Sequence, residues 1–247
     1  MLGAPATDAR GAREARLSTD EKRRRGARRA PPTWQDPAVW RVWLAQGAIG
    51  AALGWLLVTS IFVVEWAAGW VALVAVAAPG AAVVAIGVGL GRALLVGAVE
   101  EGIFRGLLLD SLRRPLGTPA ALVVSALAFG AFHLWNANVT PLAIANLVLA
   151  GLLFGLAFLV GRGLALPIGL HAAWNFFEGS VYGFPVSGAP RDALLGIEVQ
   201  GPALATGGAF GPEGGLVGLG AVLLTALVLW LVRARVPFPS ARARATA

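Results

Sequence analysis

The sequence predicts an all-α fold, a polytopic transmembrane helix bundle of about six to seven spans. Hydrophobic residues make up 57% of the 247 residues and glycine adds a further 33 residues, whereas the two together form about 45–50% of a soluble domain. Charged residues amount to 13%, about half of the usual ~25%. A soluble fold cannot bury so much apolar surface, so the composition excludes a soluble globular protein.

Cysteine content and net charge exclude further classes of protein. The chain has no cysteine, which rules out disulfides, thiolate metal sites and a cysteine nucleophile. Its net charge of +7 would favour nucleic-acid binding in a soluble protein. Here the basic residues flank apolar segments, so they indicate membrane topology, and no nucleic-acid partner is predicted.

Six apolar segments account for the predicted membrane helices. They cover residues 42–64, 81–109, 118–135, 141–161, 163–179 and 214–232. Trp40 and Trp43 stand at one end of the first segment, and Trp66 and Trp70 stand at the other. Such paired tryptophans are typical of the two interfaces of a membrane-crossing helix.

Two intervening segments are predicted not to cross the bilayer. Residues 67–78 are too few to span about 30 Å of hydrocarbon, so we expect an interfacial or re-entrant piece. Residues 180–213, rich in glycine and proline, are predicted to form one long loop. A seventh span over residues 66–91 would place Arg113 and Arg114 outside, against the positive-inside rule, so six spans are the better interpretation.

The ends of the chain are predicted to be basic tails in the cytoplasm. Residues 1–38 are expected to be disordered because they lack large apolar side chains. Residues 39–236 form the predicted transmembrane helical domain, with a motif core at 81–180, and residues 237–247 form the second tail. Six spans place 17 of the 20 basic residues in the cytoplasm. The sequence therefore predicts an integral protein of the cell membrane with both termini in the cytoplasm. The basic tails could also bind anionic lipids.

Several ionisable side chains interrupt the predicted spans. Each costs about 2.5–3.5 kcal/mol at the bilayer centre on insertion scales, so each is a functional candidate by default. They are Arg92, Glu100, Glu101, Arg105, His133, His171 and Glu178.

Their spacing suggests which of them share a helix face. Glu101 and Arg105 are four residues apart and can pair along one turn. Glu100 points about 100° away from Glu101 and stays free for another partner. Arg92 belongs to no spacing pattern, and a partner such as Glu65 or Glu178 would account for it.

The only two histidines of the chain both lie in predicted membrane helices. His133 follows Phe129 by one turn, and Asn175 follows His171 by one turn. Together with the carboxylates, these side chains can form a hydrolytic site. Glu100 and His133 could hold and deprotonate a water molecule, because a carboxylate in a low-dielectric pocket has a raised affinity for protons. His171 and Asn175 could donate to a developing oxyanion.

A metal-dependent site is the alternative chemistry. Glu100, His133 and His171 form a two-histidine, one-carboxylate set that could bind one divalent metal such as zinc and leave a fourth position for water. The compact His-Glu-x-x-His arrangement of many zinc hydrolases is absent from the sequence. Residue spacing alone leaves both versions open.

Three motifs together resemble those of the CPBP family, the intramembrane CAAX-protease and bacteriocin-processing proteins also called the Abi family. The motifs are Glu100-Glu101-x-x-x-Arg105, Phe129-x-x-x-His133 and His171-x-x-x-Asn175, and the likeness covers about residues 81–180. It implies an intramembrane endopeptidase that cleaves a membrane protein or peptide, so that residues 39–236 would be a protease domain.

The resemblance also implies roles for the motif residues. Glu100 and His133 would activate water, and His171 and Asn175 would stabilise the oxyanion. Glu101 and Arg105 would support the site or contact the substrate. Metal dependence is left open by the resemblance. A non-proteolytic scaffold or immunity protein of the same fold is the main alternative. A small transporter is a weaker one, because no inverted repeat is visible.

Overall fold

The structure is a computed structural model that describes residues 37–235, with side chains to residue 232. The predicted tails, 1–38 and 237–247, lie outside the described residues except for Pro37 and Ala38. These two residues begin the first helix.

Helices dominate the described part of the chain, which confirms the predicted polytopic helical fold. The long helices are α1 (Pro37–Ala67), α2 (Pro79–Glu101), α4 (Thr118–Phe132), α5 (Pro141–Gly161), α6 (Ala165–Asn175) and α8 (Leu216–Arg235). Two shorter ones are α3 (Asp110–Leu116) and α7 (Ala203–Thr206). A π-helical segment, Gly102–Leu109, joins α2 to α3, and a second, Phe176–Val181, extends α6.

Each of the six predicted spans coincides with one of these helical stretches. Within residues 37–235, three helices are long and apolar enough to cross a bilayer, namely α1, the continuous stretch Pro79–Leu116, and α5. Two apolar helices, Thr118–Phe132 and Leu216–Val232, are shorter. The chain is therefore an integral membrane protein.

Proline and backbone geometry place the helix ends. Proline occupies the first turn of α2, α4 and α5, where its missing N–H costs no hydrogen bond. Thr140 caps α5 because its hydroxyl accepts a hydrogen bond from the Ala143 amide at 3.1 Å. Arg162 ends α5 in the left-handed conformation, with φ 56°. Short loops then return the chain as an antiparallel helix.

The segment after α1 corrects one expectation. Val71–Val76 forms strand β1, which pairs antiparallel with β2 (Leu195–Val199) in a two-stranded sheet. Residues 67–78 therefore contain a strand, and residues 180–213, expected to form one long loop, contain its partner strand. The valines of β1 favour an extended backbone, and their partner strand lies more than 100 residues away, beyond the reach of a local pattern.

Helix α5 forms the centre of the bundle, in contact with α4, α6 and α8. Leu153, Phe154 and Ala157 of this helix are buried. Close approach depends on small residues. A Cβ atom on Gly151 would lie 2.9 Å from Cα of Ala126 on α4, closer than real Cβ contacts. Such small-residue contacts are typical of membrane helix packing, and they bring the motif helices together.

Candidate active site

A cavity of about 330 Å³ lies among α2, α4, α5, α6 and α8. Four of the six predicted catalytic side chains line it, and they come from three different helical motifs: Glu100, His133, His171 and Asn175. Four aromatic side chains also line it, namely Phe129, Phe132, Phe154 and Trp174. A largely apolar pocket with a few convergent polar groups is typical of a ligand or substrate site.

The orientation of His133 follows from the end of α4. The residue caps this helix with φ −94° and ψ 4° and is 7% exposed. Its Nδ1 lies 2.8 Å from the carbonyl oxygen of Phe129. A carbonyl oxygen only accepts, so Nδ1 carries the proton and donates. In the neutral ring, Nε2 is then the free acceptor, which suits a base.

His171 is also held through its Nδ1, in this case by a carboxylate. Its Nδ1 lies 2.9 Å from Oε1 of Glu101, and its ring stacks on Phe154 with centroids 4.6 Å apart. Nε2 of His171 is 3.9 Å from Oε2 of Glu100. The Glu101 carboxylate and the Phe154 ring together fix the orientation of the imidazole, and Nε2 faces the cavity free to contact a substrate.

Glu100 contributes a carboxylate with unused acceptor capacity. Its side chain is 16% exposed and lines the cavity. Oε2 is buried, and among the described residues it has no hydrogen-bond partner. A buried carboxylate oxygen without a donor is unusual. Its position beside His171 makes it available to a water molecule or a substrate group.

Glu101 and Arg105 lie behind the cavity wall and not on it. Both side chains are 0% exposed, and Nη1 of Arg105 donates to Oε1 of Glu101 at 2.9 Å. Nη2 of Arg105 donates to the carbonyl oxygen of Gly151 at 2.9 Å, and the guanidinium lies 4.6 Å from the Phe129 ring centroid. This placement suits a supporting role, and the suggested substrate contact does not match it.

Two of the three motif helices, α2 and α6, change from α to π geometry at the site. The first π-helical segment begins directly after Glu101 and carries Arg105, and the second begins directly after Asn175. Single π turns inside α-helices occur frequently at functional sites. The helical geometry therefore changes directly after Glu101 and directly after Asn175.

The three candidate metal ligands share the cavity without forming a preformed ligand cluster. Across the described residues, no group of three or more His, Asp or Glu side chains is positioned to hold a metal ion. Glu100, His133 and His171 line one cavity, but they do not converge as a ligand set.

Several polar residues of the cavity were missed from the sequence. They are Asn136, Asn146, Ser187, Arg191 and Glu213. Glu213 accepts a hydrogen bond from the Ser187 hydroxyl, and burial raises the pKa of this loop carboxyl. Apart from Arg191, the only basic residue in the predicted outside segments, nothing in the local sequence marks them.

Arg92 also lines the cavity. Within residues 37–235 it forms no ion pair with Glu65 or Glu178, which corrects the expected pairing. Its presence in an apolar span had marked it as a functional candidate.

Comparison with known proteins supports the motif reading. A family model described as type II CAAX prenyl endopeptidase Rce1-like matches residues 82–177, a range that contains all three motifs. No curated protein and no solved structure matches the chain. Residues 82–177, which hold the three motifs, are therefore similar to the type II CAAX prenyl endopeptidases of the Rce1-like family.

Proposed function

We propose that this protein is an intramembrane endopeptidase that hydrolyses a peptide bond of a membrane-associated protein or peptide. The observation that carries the proposal is the meeting of Glu100, His133, His171 and Asn175 in one cavity. The match to the Rce1-like family supports the same class of reaction.

Glu100 and His133 are proposed to activate the attacking water. The unpartnered Oε2 of Glu100 can accept a proton from water. His133 presents Nε2 as a second acceptor because its Nδ1–H is held by the Phe129 carbonyl. A positioned general base typically contributes about 10²–10⁴ in rate.

His171 and Asn175 are proposed to stabilise the oxyanion of the tetrahedral intermediate. Nδ1–H of His171 is bonded to Glu101, so Nε2 can donate only when the ring is protonated. The Glu101 carboxylate offsets the positive charge of that ring. The side chain of Asn175 makes no hydrogen bond to any described residue, and its amide on the cavity wall can be the second donor. One such donor is worth about 10²–10³ in rate.

Substrate class and membrane orientation complete the proposal. The substrate is a membrane-associated protein or peptide, and the termini lie in the cytoplasm, where the basic tails can contact anionic lipids. The loops that border the cavity, around Asn136, Ser187 and Glu213, then lie toward the opposite face of the membrane.

Cleavage of a quenched peptide library by the purified protein tests this function. We expect cleavage by the wild type and loss of cleavage in Glu100→Gln. Glu198→Gln, an exposed residue on strand β2, is the matched control and should keep activity. Activity in Glu100→Gln equal to that of the wild type would contradict the assignment of Glu100 to the active site.

Metal analysis of the same preparations tests the mechanism. We expect no stoichiometric metal in the active protein. About one zinc per chain, lost in Glu100→Gln, would overturn the metal-free mechanism and restore the metal alternative. A correctly folded wild type that cleaves nothing would instead favour the non-proteolytic scaffold.

A further inference from the structure

Peptide hydrolysis includes one proton transfer that the four motif residues of the cavity leave without a donor. When the tetrahedral intermediate breaks down, the C–N bond cleaves and its electron pair goes to the nitrogen. An amine is a poor leaving group unless that nitrogen receives a proton in the same step, the task of a general acid. Glu100 and His133 are assigned to the attacking water, and His171 and Asn175 are assigned to the oxyanion.

Glu213 brings a second carboxyl group to the same cavity, from a loop and not from a motif helix. It lies in the short 3₁₀ turn Pro212–Gly214 before α8 and lines the cavity together with Glu100. His133 and His171 line the same cavity, and both are near enough to act electrostatically on Glu213. Two carboxyl groups in different surroundings within one site are typical of an acid and base pair.

The backbone of Glu213 is fixed by a buried amide of the central helix. Asn146 of α5 is 3% exposed, and its Nδ2 donates to the carbonyl oxygens of Glu213 and Gly215, both at 2.9 Å. Both hydrogens of this amide are therefore used to hold the loop. A group held in one position over a cavity is suited to catalysis, because proton transfer depends on accurate placement.

The two oxygens of the Glu213 side chain have different surroundings. Oε2 accepts a hydrogen bond from the Ser187 hydroxyl, whereas Oε1 has no hydrogen-bond partner within residues 37–235. Burial raises the pKa of Glu213, so this carboxyl keeps its proton to higher pH than an exposed glutamate does. Because Oε2 is already an acceptor, the proton belongs on Oε1, which is free to donate to a bound substrate.

Several ionisable groups from other elements surround this carboxyl. The two histidines and the Ser187 hydroxyl favour its ionised form, but burial outweighs them. Within the described part of α5 and α8, no ionisable side chain is present. The ionisable groups that interact with Glu213 or share its cavity are His133, His171, Glu178, Arg191, Glu100 and Arg92.

We propose that Glu213 is the general acid that protonates the leaving amine of the cleaved peptide bond. The inference rests on the proposed endopeptidase function and adds a catalytic residue to it. In this step the electron pair of the oxyanion re-forms the carbonyl, the C–N bond breaks, and the nitrogen takes the proton from Oε1 of Glu213. The proton that was removed from the attacking water then restores the Glu213 carboxyl, so each cycle consumes one water molecule.

A comparison of two leaving groups tests this role. The probes are the peptide that is cleaved best in the quenched library and a para-nitrophenyl ester with the same acyl sequence. A nitrophenolate departs without a proton, whereas an amine does not. Glu213→Gln should therefore lower kcat/KM for the peptide by about 100- to 10,000-fold and leave cleavage of the ester close to that of the wild type.

The ester also shows whether each variant is folded. Glu100→Gln should lose both activities, because attack by water precedes departure of either group. Glu198→Gln, exposed on β2, is the matched control and should keep both. Equal losses for the peptide and the ester in Glu213→Gln, or no loss for either, would overturn the acid role.

The pH profile of peptide cleavage gives a second readout. An acid must be protonated, so wild-type kcat/KM should fall at alkaline pH, and Glu213→Gln should lack that fall. The Ser187 hydrogen bond favours the carboxylate, so Ser187→Ala should move the fall to higher pH. Ser111→Ala, which removes an exposed hydroxyl of α3, should leave the profile unchanged. An alkaline fall that persists in Glu213→Gln, or stays in place in Ser187→Ala, would contradict the assignment.

The wild-type protein separates this inference from the proposed function. Wild-type cleavage of the peptide together with full peptide cleavage by Glu213→Gln would refute the acid role and leave the endopeptidase intact. A wild type that cleaves neither probe would refute the endopeptidase, and the acid role would fall with it.

Discussion

Glu100 and Glu101 are adjacent and chemically identical, yet the same substitution should strongly reduce stability at Glu101 and barely change it at Glu100. Glu101→Gln would remove the charge that faces Arg105, whose side chain is 0% exposed. Breaking a buried ion pair from one side typically costs about 3–5 kcal/mol. Glu100→Gln would break no hydrogen bond within the described structure, so we expect a change of about 0.5 kcal/mol or less in the free energy of unfolding.

Denaturant unfolding in detergent, followed by fluorescence of the nine tryptophans, measures both changes. A peptide-cleavage assay on the same samples should show that Glu100→Gln is folded but inactive. Pairing Glu101→Gln with Arg105→Met should recover much of the lost stability, because no charge is then left unpaired. Wild-type stability in Glu101→Gln alone would refute the reasoning, since Arg105 would not need that carboxylate.

Three further predictions concern packing, titration and topology. Gly54→Ala should destabilise the bundle by about 1–3 kcal/mol, because the new Cβ would lie 2.9 Å from the Trp174 amide nitrogen. At Gly87 a Cβ would have no atom within 4 Å, so Gly87→Ala should leave the stability unchanged. Thermal unfolding in detergent compares the two variants. Burial raises the pKa of Glu213, so the folded state keeps this proton to higher pH than the unfolded chain does, and stability should fall as pH rises above about 4.3. Glu213→Gln should lessen the fall between pH 5 and pH 8, and an equal fall in both proteins would contradict this origin. The chain has no cysteine, so single cysteines can report the orientation through a membrane-impermeant thiol reagent. Asp192→Cys should react from outside intact cells, whereas Asp110→Cys should react only after permeabilisation. The reverse pattern would invert the proposed orientation.

The parts of the site that could be predicted from the sequence depend on local helical geometry. Glu101 and Arg105 had to share a face because they are four residues apart on a helix. Glu100 was a functional candidate because a charged side chain in an apolar span is energetically costly, which the local sequence alone shows. The fold followed from composition and from the lengths of apolar segments, which the six helices match.

The parts that could not be predicted depend on contacts between distant segments. Strand β1 became a strand only because β2 pairs with it across more than 100 residues. Arg191 and Glu213 reach the cavity from loops whose paths no period encodes. The close contact between Nδ1 of His171 and Glu101 joins residues 70 positions apart. The sequence marked both as functional candidates without showing that they contact each other.

That shared contact explains why two adjacent glutamates serve the site in different ways. Oε1 of Glu101 accepts from both Arg105 and His171, so one buried carboxylate offsets a permanent cation and orients an imidazole. If Glu101 were the base, protonating it would leave Arg105 uncompensated in an apolar interior, a state that costs several kcal/mol. Glu100 is not hydrogen-bonded to Arg105, so it can take and release a proton without leaving that guanidinium uncompensated. The proposed division of roles between the two carboxylates therefore follows from the placement of Arg105.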